Sequence, residues 1–309
     1  MITRKMTKSK ITTILSLLCI CTILSIVCDS YTGYRKNKAI IYSPHRLLQD
    51  DYDRPVMHTF YQASQTGTGM KMEDDRRMLE IWMEAWDAAG WETKVLVLDD
   101  AKEHPDYDLY YHDLDQNAND DYNKLCYLRW LAMTVEGGGW MCDYDVFPMP
   151  TSHEFQPIKL NPAKEGENYR LPFQGKFTVY EYTRDGGVPS LMSGSKEEWN
   201  RMTNLILERS YQERIHSDMY ALMDIHQQDP KSFIMVDKVV KGYLPMRELE
   251  VTRRTCNMFF KHMAIHMSHF AISTGKESGR LPTDLGASAR PQVAMDFIKH
   301  YIAVCQTSI

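Results

Sequence analysis

Residues 74–98 read DDRRMLEIWMEAWDAAGWETKVLVL, and the hydrophobic period changes partway along. Met78, Ile81, Trp82, Ala85, Trp86 and Ala89 recur at steps of three and four, which gathers them on one face of a helix over residues 74–89. Asp74 and Asp75 occupy its first turn, where negative charge complements the helix dipole, and Gly90 is placed to end it. Residues 93–98, TKVLVL, then form a strand. Upstream, residues 56–61, VMHTFY, are rich in strand formers and give a first strand, with a loop over residues 62–71. Strand, helix, strand is the unit of a parallel sheet, because parallel neighbours need a long crossover. The predicted class is α/β, a mostly parallel central sheet flanked by helices.

The same reading extends outward. Residues 121–136 form a helix capped by Asp120 or Asp121, with Leu125, Leu128, Leu131, Ala132 and Val135 on its buried side. Gly137, Gly138 and Gly139 break it, and residues 140–146 return as a short strand. Residues 151–185 are loop-rich, with a strand at 176–182. Helices follow at 197–215 and 218–228, a strand at 264–272 and a closing helix at 291–304. Trp82, Trp86 and Trp130 fall on helical faces and belong to the core.

Hydrophobic residues make up 43% of the 309, enough to bury a core of enzyme size. The net charge is −5, yet residues 1–10 carry Arg4, Lys5, Lys8 and Lys10 and no acid, so the rest is more acidic still. An acidic body argues against a nucleic-acid partner. Residues 11–28, ITTILSLLCICTILSIVC, are uncharged and just long enough to span a bilayer. The basic flank gives residues 1–10 as a cytoplasmic tail, 11–28 as a signal anchor in the membrane, and 29–55 as a polar stem. The expected product is a single-pass type II membrane protein whose body, residues 56–309, faces the Golgi or another secretory lumen, or is secreted if residues 1–28 are cleaved. Cys126, Cys142, Cys256 and Cys305 lie in the body, where two disulfides or buried thiols are equally open.

Chemistry concentrates in residues 129–148, RWLAMTVEGGGWMCDYDVFP. Asp143-Tyr144-Asp145 is an Asp-x-Asp, a cheap pattern: Asp51-Tyr52-Asp53, Asp106-Tyr107-Asp108 and Asp113-Leu114-Asp115 repeat it. Only the 143–145 copy follows an arginine-bearing helix, a glycine run and an aromatic strand. Ligands of α/β sheets bind at strand ends. In an extended strand, residues i and i+2 point the same way, so both carboxylates can address one cation. Glycine lets backbone approach a ligand closely. Two hard oxygen ligands on an open edge suit Mn²⁺ or Mg²⁺.

The pattern from Arg129 through Gly138-Gly139 to Asp143 and Asp145 resembles the DXD-containing glycosyltransferases of the GT-A fold, in particular the sugar-binding-region family of α-1,4-N-acetylglucosaminyl-, galactosyl- and initiating mannosyltransferases. The resemblance runs in outline from Val56 to Pro148 and is sharp from Arg129 to Asp145. It departs in having three glycines and in lacking the Ser-Asp that commonly precedes the arginine. It implies a GT-A-like catalytic domain over residues 56–309 that moves a sugar from a nucleotide-diphosphate-sugar donor to a glycan, glycoprotein or glycolipid, with Mn²⁺ and with retention of anomeric configuration. It implies metal ligands Asp143 and Asp145, completed by a C-terminal histidine: His266 first, His269 second. On a helix, His262 and His266 could also share a metal, but no glutamate stands between them as in a metalloprotease. Donor contacts would come from Thr59, Tyr61 and Gln62 at the first strand end, and from Arg129, Gly138, Gly139 and Tyr144. Ser193 and Gly194 would line the acceptor side, and Asp218 would be the carboxylate near the reacting sugar. Each has a plainer role open to it, as a strand end, a core packing residue or a first-turn acid. Two other classes compete. A haloacid-dehalogenase-like phosphohydrolase also uses Asp-x-Asp after an apolar strand, though that motif usually opens its domain. A luminal binding protein on a transferase scaffold would keep the ligands without turnover.

Overall fold

Residues 54–63, 70–117, 121–149, 171–183, 186–210, 217–243, 246, 256 and 262–306 are described by the structure, a computed structural model. The stretch at 74–98 forms the predicted helix and strand, although the strand ends at Leu96 and Leu98 opens a further helix. β1 (Val56–Phe60) leads to α1 (Met72–Ala88) and then β2 (Glu92–Leu96), and the two strands pair in parallel with Val56 opposite Glu92. Two helices that lack clear apolar periodicity follow, α2 (Leu98–Lys102) and α3 (Tyr107–Asn117). Two of the four Asp-x-Asp sequences fall at or on α3, where residues i and i+2 do not face one another. Asp51-Tyr52-Asp53 lies outside the described residues.

α4 (Asp121–Glu136) has the predicted bounds. The glycine run then turns the chain with φ of +95°, +83° and +110° at Gly137, Gly138 and Gly139, values that favour glycine. β3 (Gly139–Cys142) pairs in parallel with β1. The predicted strand over 140–146 is two strands, because β4 (Val146–Pro148) belongs to another sheet. Then come β5 (Thr178–Thr183), β6 (Gly186–Gly194), α5 (Lys196–Ser210), α6 (Asp218–Gln228), β7 (Ile234–Met235), β8 (Val239–Lys241) and β9 (Ala264–His266). The predicted strand at 264–272 is also divided: β9 ends at His266, and α7 (His269–Glu277) begins three residues later. α8 (Arg290–Gln306) closes the described chain.

The main sheet has the order β2-β1-β3-β6-β5-β7. Its two antiparallel pairings both involve β6, so five strands run one way and β6 alone runs against them. This is the expected α/β class, a mostly parallel sheet with helices on its faces. β3 shows the two faces. Met141 belongs to the cluster built by Trp130, Phe177, Met192 and Trp199. Cys142 points the other way and receives Trp82 Nε1 from α1 at 3.2 Å. A second sheet, β4-β9-β8, stands beside the first.

The expectation of a single-pass membrane protein is corrected here: among the described residues no helix is long and apolar enough to cross a membrane. The tail at 1–10, the anchor at 11–28 and nearly all of the stem at 29–55 lie outside the described residues. Of the four cysteines of the body, Cys256 and Cys305 form a disulfide, and Cys126 and Cys142 are thiols.

Candidate metal centre

The centre lies where the chain leaves the first sheet for the second. β3 ends at Cys142, β4 starts at Val146, and Asp143-Tyr144-Asp145 form the turn between them, closed by Val146 N–H donating to the Asp143 carbonyl at 2.9 Å. The carboxylates therefore converge through a turn and not along one extended strand. The antiparallel register of β4 and β9 sets His266 opposite Val146, beside Asp145. One ligand atom each from Asp143, Asp145 and His266 lies within 4.8 Å of the other two. Trp86 Nε1 donates to the Val146 carbonyl at 3.0 Å, so α1 supports the turn from behind.

Charged groups fix each ligand. Arg129, from α4, donates to Asp143 through Nη1, and its Nε reaches Asp218 Oδ2 at 2.8 Å. Trp130 Nε1 shares that oxygen at 2.9 Å. Arg290, at the start of α8, pairs with Asp145 Oδ2. His266 Nδ1 meets Glu181 Oε2 at 2.8 Å, and its Nε2 lies 3.4 Å from Asp145 Oδ1. Asp145 Oδ1 is buried and has no hydrogen-bond partner among the described residues. The four carboxylates tied to these groups, Asp143, Asp145, Glu181 and Asp218, exceed the two guanidiniums by two negative charges, the charge of one divalent cation. Protons offset the same excess. Burial works against a charged His266, but Glu181 and Asp145 outweigh it and raise its pKa well above the usual value. Burial, reinforced by Asp145 and opposed by Arg129, pushes the Asp143 carboxyl up to about 6. Burial would also raise Asp145, yet His266 and Arg290 hold it well below the usual carboxylate range. A buried carboxylate oxygen that meets the His266 imidazole at 3.4 Å, together with the Asp143 carboxylate, forms a donor set that fits a divalent cation.

Other predicted positions divide sharply. Tyr144 is at the centre: its hydroxyl donates to Asp75 Oδ1 at 2.9 Å, and its ring meets the Tyr61 ring edge-on at 5.7 Å. Gln62 is exposed one residue beyond Tyr61 and accepts from Leu98 N–H at 3.3 Å. Thr59 is fully buried in β1. Asp218 is also buried, and Arg129 stands between it and Asp143, bonded to both.

Gly138, Gly139, Ser193 and Gly194 lie away from the Asp143–Asp145–His266 cluster. Gly139 opens β3 and Asp143 follows its end, so the two are about 13 Å apart along extended chain. β6 runs against β3 with Gly194 opposite Gly139 and Ser193 opposite Trp140. Ser193 is fully buried and bonded to Tyr180 at 2.8 Å. A Cβ on Gly138 would lie 2.8 Å from Lys196 N, so that glycine serves packing against the start of α5. His262 lies outside any helix, and it shares no helical face with His266. Glu181, Ser190, Asp75 and Arg290 belong to the centre's surroundings, and no sequence pattern assigns them to it. Only the acidic first turn of α1 hints at any of them.

Fold and centre together describe an α/β protein with two carboxylates and a histidine that could hold a cation at the carboxyl end of a parallel strand. The profile of a domain of unknown function (DUF8765) matches residues 38–167, which include Arg129, Asp143 and Asp145. No curated protein matches the chain significantly. Among solved structures, a glycosyltransferase involved in the glycosylation of the major capsid of PBCV-1 is similar with a TM-score of 0.39 at 10% identity, covering 72% of this chain and 98% of that one.

Proposed function

We propose that this protein is a metal-dependent glycosyltransferase that uses a nucleotide-diphosphate-sugar donor and a glycan, glycoprotein or glycolipid acceptor, with retention of anomeric configuration. The observation that carries the proposal is the convergence of Asp143, Asp145 and His266 at the end of β3. These three residues would hold the cation, and the imidazole favours Mn²⁺ over Mg²⁺ in a mixed oxygen–nitrogen set. A bound divalent cation supplies charge neutralisation for a leaving diphosphate. The chain's own groups do the rest. Arg129 fixes the Asp143 carboxylate, Asp218 and Trp130 fix Arg129, and Glu181 fixes the His266 ring. Tyr144, between the two carboxylates in sequence, and Tyr61, edge-on against it, would offer ring surface to the donor, with Gln62 at the rim.

The test is release of nucleoside diphosphate from a panel of nucleotide sugars by the full chain, with Mn²⁺ and then with chelator. The double variant Asp143→Ala with Asp145→Ala is run alongside. Metal-dependent release from one donor, lost in the double variant, is the expected result. No release from any donor, together with phosphate release from phosphomonoesters, would replace this reading with the phosphohydrolase.

A further inference from the structure

An open surface cavity of about 370 Å³ lies beside the candidate metal centre, between α7 and the segment that leads into α8. Ile272 and Leu285 supply apolar wall; Ser273, Lys276, Glu277 and Arg290 supply polar wall. Its size is at the lower end for a small-molecule pocket. Arg290 is the partition between cavity and centre. Asp145 turns Oδ1 toward His266 and Oδ2 toward Arg290, so a cation held by Asp145 and His266 would lie across that carboxylate from Arg290.

Charge gives the cavity its selectivity. Arg290 is buried at 6% exposure, donates through Nη2 to Asp145 and to the Met267 carbonyl at 3.2 Å, and keeps Nε without a partner among the described residues. A divalent cation on Asp145 would place two more positive charges beside Arg290 and Lys276, which makes that wall more attractive to an anion. Lys276 Nζ spends one donor on the Leu285 carbonyl at 2.8 Å and has two more to offer. We propose that this cavity binds the acceptor and selects one that carries a phosphate or carboxylate group, and that metal binding strengthens its hold on that group. The inference rests on the glycosyltransferase reading for the word acceptor; anion binding coupled to metal is independent of it. By linkage, the anion must strengthen metal binding by the same factor.

Calorimetric titration of the full chain tests this with Mn²⁺ alone, then with a hexose monophosphate, a hexuronic acid, the parent neutral hexose and a nucleoside diphosphate, each with and without Mn²⁺. The anionic sugars should bind tighter with Mn²⁺ than without it, and the neutral hexose should not respond. Lys276→Ala should weaken the anionic sugars by about tenfold or more, the value of a charge-assisted hydrogen bond, with Mn²⁺ affinity unchanged. Glu277→Gln, which removes a repelling charge and no internal bond, should move affinity the other way and guards against a loosened α7 in the lysine variant. Mn²⁺ binding without any Mn²⁺-dependent anionic-sugar binding would overturn the cavity proposal and leave the metal centre standing. So would equal anion affinity in wild type and Lys276→Ala, since the anion would then sit on the metal alone. A nucleoside diphosphate that binds and is weakened by Lys276→Ala while the sugar acids do not bind would reassign the cavity to the donor. Failure of Mn²⁺ to bind would sink the metal centre and this coupling together.

Discussion

Replacing Asp218 by asparagine tests how firmly it holds Arg129. The side chain is 2% exposed, and its Oδ2 accepts from Arg129 Nε, Arg129 Nη2 and Trp130 Nε1. Asparagine keeps the volume and loses the charge, which leaves a buried guanidinium short of one counter-charge. Breaking a buried pair by removing one partner costs about 3–5 kcal/mol. Arg129 keeps Asp143, so the cost belongs at the lower end, about 3 kcal/mol, out of a total stability on the order of 5–15 kcal/mol. For a domain of this size that lowers Tm by roughly 6–12 °C. Thermal unfolding of wild type and variant reads it directly. The control is the same change in an Arg129→Met background, where the charge is already gone; there the aspartate substitution should cost much less, and the cycle isolates the pair. A loss under about 1 kcal/mol, or the same loss in both backgrounds, would show that Asp218 does not hold Arg129.

Three further outcomes follow from single contacts. Gly138→Ala places a Cβ 2.8 Å from backbone atoms of Ser195 and Lys196, whereas Gly137→Ala meets nothing within 4 Å; both pay the left-handed strain of about 1–2 kcal/mol, and denaturant titration should show Gly138→Ala to be clearly the worse. Tyr144→Phe removes the hydrogen bond to Asp75 at 2.9 Å and should lower stability by about 1.5–3 kcal/mol, with Mn²⁺ affinity little changed; a neutral result would mean that Asp75 does not anchor the turn. His58, whose Nδ1 lies 2.8 Å from the Trp140 carbonyl, has its pKa lowered by burial below 6.5. The unfolded chain therefore takes up this proton first as pH falls, so His58's share of stability is present above pH 6.5 and is lost below it, with a slope of at most about 1.4 kcal/mol per pH unit. Replacing His58 by glutamine should flatten that part of the stability–pH curve; an unchanged curve would refute the assignment.

Residues whose neighbours in space are neighbours in sequence are legible from the amino-acid order alone. α4 shows its bounds because its apolar residues repeat at the helical period and three glycines end it. β1, α1 and β2 are legible for the same reason. Asp143 and Asp145 stand out from three other Asp-x-Asp sequences through local context, and the two copies at α3 lie on helical backbone where such a pair does not converge. By contrast, β6 reads as a loop: GGVPSLMSG contains three glycines and a proline. The sheet tolerates Pro189 because the pairing of β5 with β6 is irregular between Val179 and Glu181, where the ladder does not require its missing N–H.

The amino-acid sequence by itself determined the α/β class, the run of helices and strands around residues 56–146, and the pair of carboxylates after an arginine-bearing helix. Tertiary structure alone decided which other residues join that pair. Strand register brings His266 from more than a hundred residues away to Asp145, and the same kind of register carries Ser193 and Gly194 to the opposite end of β3. Glu181 and Arg290 arrive on β5 and α8 with no local pattern to announce them. The reason is physical: periodicity records which face of an element is buried, whereas charge pairing across sheets depends on how separate elements dock.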